Sequence, residues 1–270
     1  MNQLSTLGHP QRMAVFRLLV RRCPDALPAG EIARVLGLKP STASVYLSAL
    51  TQTGLIKQTR HGTSLRYNLD LTAAQGMVSD LFLDCCRGRP DLCPPMLPSA
   101  PDKSDKTLSV LFLCTGNSAR SIFAEAILKH VAGDRFAAHS AGTKPNSELN
   151  PAAIEMLESE GIDTFGLRPK NIREFQGDNA PTFDFVFTVC DLAANEECPP
   201  WRGQSMTSHW GLPDPVEAQG EGMEKQAAFQ CTYSAIFNRI SAFTALPFDA
   251  LDRATMQQHI DHIGQTEHAT

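Results

Sequence analysis

Leu108-Ser109-Val110-Leu111-Phe112-Leu113-Cys114-Thr115-Gly116-Asn117-Ser118-Ala119-Arg120-Ser121 is the stretch that decides how the larger part of this chain folds. Five of the six residues before Cys114 are apolar, which suits a strand covered on both faces. Ile122, Phe123, Ala126 and Ile127 then recur at helical spacing, so a helix is predicted over 118–131. The cysteine therefore lies in a strand-loop-helix corner. Successive backbone N–H groups in the Gly-Asn turn and the positive end of the following helix make such a corner a place to hold an anion. The same field is expected to stabilise a thiolate at Cys114, placing a nucleophile beside its oxyanion. Arg120 can close the ring with a two-pronged guanidinium on two oxygens.

Length and composition bound the rest. A chain of 270 residues, 42% hydrophobic and 20% charged, has room for two globular domains. No apolar run approaches the roughly 18 residues of a membrane helix, and Met1–Pro10 has no signal-peptide core, so the expectation is a cytoplasmic protein without a membrane partner. In that compartment the eight cysteines (23, 85, 86, 93, 114, 190, 198 and 231) read as reactive or ligand thiols. The net charge of −5 conceals a division: residues 1–86 carry nine Lys/Arg against five Asp/Glu, a net +4, which leaves −9 for the remainder. Only the first part is suited to a polyanion.

In that first part, Met13, Phe16, Leu18 and Leu19 mark one amphipathic helix, and Ile32, Val35 and Leu36 a second, ended by Gly37. After a Leu38-Lys39-Pro40 turn, Ser41 is the expected N-cap of a third helix with Ala43, Leu47 and Leu50 on one side. Helix, short turn, helix is the pattern whose second member enters the major groove. Leu55–Thr59 and Ser64–Leu69, joined by Arg60-His61-Gly62-Thr63, read as a two-stranded wing with a basic tip. Leu4 to Leu69 as a whole resembles the winged-helix arsenical repressor family, including the Leu7-Gly8-His9-Pro10-Gln11-Arg12 opening and Ser41-Thr42-x-Ser44 of the recognition helix. Where family members commonly carry a basic residue and His, this chain has Val45 and Tyr46. The resemblance implies operator DNA as partner, with Thr42, Ser44 and Tyr46 near bases and Lys39, Arg60 and Arg66 on phosphates.

The family's Cys-x-Cys pair near Glu31 is absent. Instead a helix from Thr72, with Val78, Leu81, Phe82 and Cys85 on one face, ends in Cys85-Cys86-Arg87-Gly88-Arg89-Pro90-Asp91-Leu92-Cys93. Three thiolates suit a trigonal pyramidal As(III) or Sb(III) better than the four-ligand habit of structural zinc. Cys85, Cys86 and Cys93 are thus the expected site of arsenite as regulatory ligand, and the helix is expected to pair two copies into a homodimer. Cys85 as ordinary core, with the other two thiols incidental, is the competing reading. Domains are placed at 1–93 and 107–270, with a Pro/Ser-rich linker at 94–106.

Beyond Thr107, strands alternate with helices: a strand near 135–139, a helix over 151–161, a strand over 183–189, a short strand before Trp210, and a covering helix over 223–246. That order argues an α/β fold, a doubly wound parallel sheet with ligands at the carboxyl ends of its strands. Residues 251–263 form an amphipathic helix without an assigned purpose, and Cys23 and Cys231 read as structural. Cys114–Ser121, Ser140-Ala141-Gly142-Thr143, Cys190–Pro199 and His209–Pro215 together resemble the arsenate reductases built on the low-molecular-weight tyrosine phosphatase fold. The resemblance implies Thr115, Gly116, Asn117, Ser118, Ala119 and Ser121 around the oxyanion, Cys114 and Arg120 at its centre, Asp214 as general acid, and Cys190 and Cys198 as redox partners. It implies no tightly bound cofactor but an external thiol reductant and its redox protein, thioredoxin or glutathione/glutaredoxin. A tyrosine phosphatase is the alternative, although Ala119 stands where those enzymes have Cys and Val216 where they usually place an aromatic. A regulator whose second domain binds an oxyanion without turnover is a third reading.

Overall fold

The structure, a computed structural model, describes residues 2–85, 107–176, 180–197, 201, 205–219 and 222–266. Internal contacts divide the chain into two compact units, Met1–Asp102 and Lys103–Thr270. Cys86, Cys93, Cys198 and the linker at 94–106 lie outside the described residues.

In the first unit α1 (Asn2–Leu7) and α2 (Pro10–Arg21) lead to the short strand β1 (Leu27–Pro28), then α3 (Ala29–Val35) and α4 (Pro40–Gln52). The Gly-His-Pro-Gln-Arg stretch is a joint: His9 caps α2 through Gln11 N–H, Pro10 occupies the first helical position, and Arg12 Nε donates to Thr6 O at 2.7 Å. Val15, Leu18, Leu19, Ile32, Leu47 and Leu50 of these helices meet in one fully buried core. The cap of α4 differs from expectation. Lys39 is the N-cap and makes no side-chain cap bond, Pro40 takes the first position, and Ser41 is already helical. Proline's fixed φ and missing N–H suit it to that position, and this outranks the capping preference of serine.

Strands β2 (Ile56–His61) and β3 (Ser64–Leu69) form the wing hairpin, closing at His61↔Ser64 so that only Gly62 and Thr63 turn. Gly62 has φ of 61°, the positive value a first turn residue needs in a tight hairpin. β1 adds to β3, giving the antiparallel order β1-β3-β2. Asp70 caps α5 (Leu71–Asp80), which widens into a π-helical turn over Leu81–Cys85. None of α5 is buried, and Leu71, Val78 and Leu81 are exposed.

The second unit is built on β4 (Leu108–Cys114), β5 (Phe136–Gly142), β6 (Phe185–Thr188) and β7 (Met206–His209), all parallel in the order β5-β4-β6-β7. Alternation along β4 serves two faces. Val110 and Phe112 point into the main core with α6 (Arg120–Ala132), α7 (Pro151–Ser159) and α9 (Met223–Thr244), whereas Leu111 and Leu113 pack with Ile172, Phe183 and Val186. The short α8 (Asp191–Asn195) follows β6. The helix without assigned purpose is α10 (Arg253–Gln265), which buries Met256, Ile260 and Ile263 and receives Trp210 Nε1 on the carbonyl of Ile260 at 2.9 Å. Arg239 of α9 donates to the carbonyls of Trp210 and Gly264, at 2.8 and 2.9 Å, so α9, α10 and the loop after β7 form one brace. A Cβ on Gly264 would fall 2.6 Å from His209 O, so this approach requires glycine.

After β4 the chain moves outward to β5, then returns to lay β6 on the other side of β4. The crevice of an open parallel sheet forms where strand order reverses, outside the carboxyl ends of the strands. Here that point is the β4–β6 pair, and both strands end in cysteine-bearing loops. No described helix is long and apolar enough to cross a membrane.

Candidate active site and DNA-reading face

The loop from Cys114 to Ala119 is held from behind by the chain that follows β5. Thr143 N–H donates to Cys114 O, Lys144 to Thr115 O, Asn146 to Gly116 O and Asn150 to Ser118 O, at 2.8–3.1 Å. Four loop carbonyls are thereby turned outward, which leaves the opposite side of the loop to its N–H groups. Gly142 makes the approach possible, because a Cβ there would sit 2.5 Å from Thr115 O. The helix starts at Arg120 rather than at 118, so Ser118 and Ala119 remain loop residues. Ser118 Oγ accepts from Asn146 Nδ2 at 3.0 Å.

Asn117 is fully buried at φ 45°, the left-handed conformation that Asn tolerates better than most residues. Its N–H donates to Cys114 Sγ at 3.0 Å, and Lys170 N–H donates to its Oδ1 at 2.6 Å. That second bond fixes the amide so that Nδ2 donates to Ser121 Oγ and Ser140 Oγ, at 2.9 and 2.8 Å. Ser121 Oγ, which accepts from Asn117, is hydrogen-bonded to Cys114 Sγ, 2.8 Å away. Ser140 passes its own proton to Glu125 Oε2 at 2.5 Å, and Lys170 Nζ reaches the same oxygen at 2.8 Å. Burial pushes the Glu125 carboxyl up, but Lys170, Lys129 and Ser140 outweigh it and leave it below the usual range, a carboxylate. Sequence reasoning missed Glu125 and Lys170 as parts of this support. The available signal was one acid inside the buried helical run Ile122–Leu128.

The Cys114 thiol itself runs against expectation: burial pushes it up, with nearby Cys190 adding to the effect. Ser121, the Asn117 amide and Arg120 oppose this without overcoming it. Arg120 is partly committed elsewhere, donating to Leu212 O at 3.0 Å and pairing with Asp214. That contact brings the loop after β7 onto the anion loop, so Cys114, Arg120 and Asp214 share one site. An arriving oxyanion competes with Asp214 for the guanidinium.

Cys190, at the end of the β6 segment, is equally buried. Val189 N–H donates to Leu113 O at 2.8 Å, which sets the two cysteine-bearing loops at one level. Thr115 Oγ1 lies 3.4 Å from Cys190 Sγ, and Ala193 N–H reaches that sulfur at 3.4 Å from the first turn of α8. Cys198 lies outside the described residues, while Cys231 is exposed on α9 rather than buried in the core. Cys231 lines a cavity of about 610 Å³ beside Asp214.

In the first unit, Ser41, Ser44, Val45 and Ser48 form the exposed side of α4, and Thr42 is half-buried. Tyr46 is not on that side. Its ring packs on His9 and its hydroxyl donates to Gln11 Oε1 at 2.5 Å, which ties it to the start of α2. Lys39, Arg60 and Arg66 are exposed; Arg60 donates to Gly62 O and Arg66 to Ala26 O, which holds both along the wing. Cys85 is an exposed free thiol.

A parallel α/β unit with a Cys-x5-Arg anion loop at its switch point defines a class of phosphatase-like proteins. The chain belongs to the low molecular weight phosphotyrosine protein phosphatase family, which it matches over residues 109–255, and residues 7–59 match a helix-turn-helix domain. It is 39% identical over 134 residues to an arsenate reductase of Bacillus subtilis, covering 50% of this chain and 93% of the relative. It is 35% identical over 115 residues to a glutaredoxin arsenate reductase of Synechocystis sp., covering 43% and 82%.

If Ser121 lowers the Cys114 pKa through the bond traced above, Ser121→Ala moves the midpoint of Cys114 alkylation by iodoacetamide to higher pH. Rates taken across pH on the Cys114 peptide check this; an unmoved or lowered midpoint contradicts it.

Proposed function

We propose that the chain is an arsenic-responsive repressor fused to a thiol-dependent arsenate reductase, the second unit making the ligand that the first detects. One observation carries the catalytic half: Cys114 and Cys190 are brought to one crevice by strand register, and Thr115 bridges their loops. A phosphatase has no use for a second thiol there, whereas a two-electron reduction needs one. Arsenate binds the loop amides and takes Arg120 from Asp214. Cys114 sulfur bonds to arsenic as an oxygen leaves as water: the thiol proton passes to the Asp214 carboxylate that Arg120 has released, and Asp214 donates it to the departing oxygen. Cys190 then attacks Cys114 sulfur. The S–S bond forms, the As–S bond breaks with its electron pair going to arsenic, and arsenite departs. Cys198 attacks Cys190, freeing Cys114 and leaving a Cys190–Cys198 disulfide for an external thiol reductant.

The regulatory half rests on the helix-turn-helix match, the exposed Lys39 that precedes α4, the exposed Arg60 and Arg66 of the wing, and the free thiol of Cys85 at the end of the π-helical turn that follows α5. The exposed Leu71, Val78 and Leu81 are covered in a homodimer, as two-fold operators require. Arsenite bound by Cys85, Cys86 and Cys93 releases the DNA.

Two measurements test this. With thioredoxin or glutaredoxin supplied, the whole chain converts arsenate to arsenite and Cys190→Ser reduces the multiple-turnover rate to background; rapid hydrolysis of a phosphotyrosine analogue without arsenite formation supports the phosphatase reading instead. Arsenite added to the DNA complex lowers DNA affinity for the parent chain and leaves it unchanged for Cys85→Ser. Release that persists in the variant removes the sensor assignment.

A further inference from the structure

Beyond the proline that starts it, the recognition helix carries one exposed apolar side chain, where DNA offers one apolar feature. Val45 is 65% exposed, flanked by Ser41, Ser44 and Ser48, and α4 contains no charged residue. Tyr46, the expected aromatic reader, is withdrawn against His9 and Gln11. Ser44 Oγ donates to Pro40 O at 3.0 Å, so its proton is used within the helix. Valine's projection is therefore the most prominent group on this face. Within a helix its branched Cβ allows essentially one rotamer, so little entropy is lost when it is covered.

The surroundings say what covers it. Lys39 immediately precedes the helix, Arg60 and Arg66 are exposed on the wing strands, the unit is net positive, and a helix-turn-helix places this helix in the major groove. Among base edges there, only thymine presents a methyl group. Contact with adenine, guanine or cytosine would set the valine methyls against hydrogen-bonding groups they cannot satisfy.

We propose that Val45 determines specificity by packing on the C5 methyl of a thymine in each half-site. This rests on the DNA-binding reading of the first unit. The test is to select bound duplexes from a random pool with the full chain, then replace each thymine of the winning site singly with deoxyuridine, which removes only the methyl. At one thymine per half-site, deoxyuridine weakens binding about three- to tenfold, the scale of one buried methyl with its packing. Val45→Ala weakens binding to the thymine site similarly and abolishes the deoxyuridine effect at that position alone. Sites whose thymines all tolerate deoxyuridine, or a penalty retained in Val45→Ala, overturn the proposal while the DNA-binding reading stands. A pool with no enriched sequence overturns both. The deoxyuridine arm uses the unaltered protein, so it does not depend on how the variant folds.

Discussion

Asn117 is the constraint on which the catalytic unit depends. A buried asparagine at positive φ is stable only if its polar atoms are satisfied, and here N–H, Oδ1 and Nδ2 each are. Through them one residue fixes the turn of the anion loop, the position of the Ser121 hydroxyl and the distance to β5. The Lys170 amide decides which way the side chain faces, and the Glu125–Lys170 pair anchors the segment that supplies that amide. An aspartate there would lose both Nδ2 donations and place a charge beside Glu125.

The second constraint is the parallel register of β4 and β6. Slipping it by one residue would take Phe187 and Val189 off the face they share with Phe112 and Cys114 and offset the two cysteine loops. The sheet thus does for the thiols what it does for ligands in other open α/β folds: it brings loops distant in sequence to one crevice. Burial makes that crevice a place where Cys114 resists ionising, with the nearby Arg120 acting against it.

Much of this was legible. The apolar run ending at Cys114 gave its strand because both faces are buried, and the helix-turn-helix followed from Gly37, Pro40 and the Ala43-Leu47-Leu50 spacing. What escaped depended on tertiary distance. Lys170 lies 45 residues from Glu125, and nothing local marks the pair. The orientation of Tyr46 is set by Gln11, 35 residues earlier, a contact that spacing along α4 does not encode. Proline's hold on the first turn displaced Ser41 as cap, a competition between two local preferences that a motif alone does not decide. The raised thiol at Cys114 reflects burial, which no motif encodes.

The account's central claim is that arsenate is reduced by two thiols that the β4–β6 register brings together. Peptide mapping of Cys198→Ser after exposure to arsenate, with no external reductant present, tests it most directly. The account predicts one arsenite per chain and a disulfide between Cys114 and Cys190. Unmodified thiols at both positions, with no arsenite formed, would contradict it.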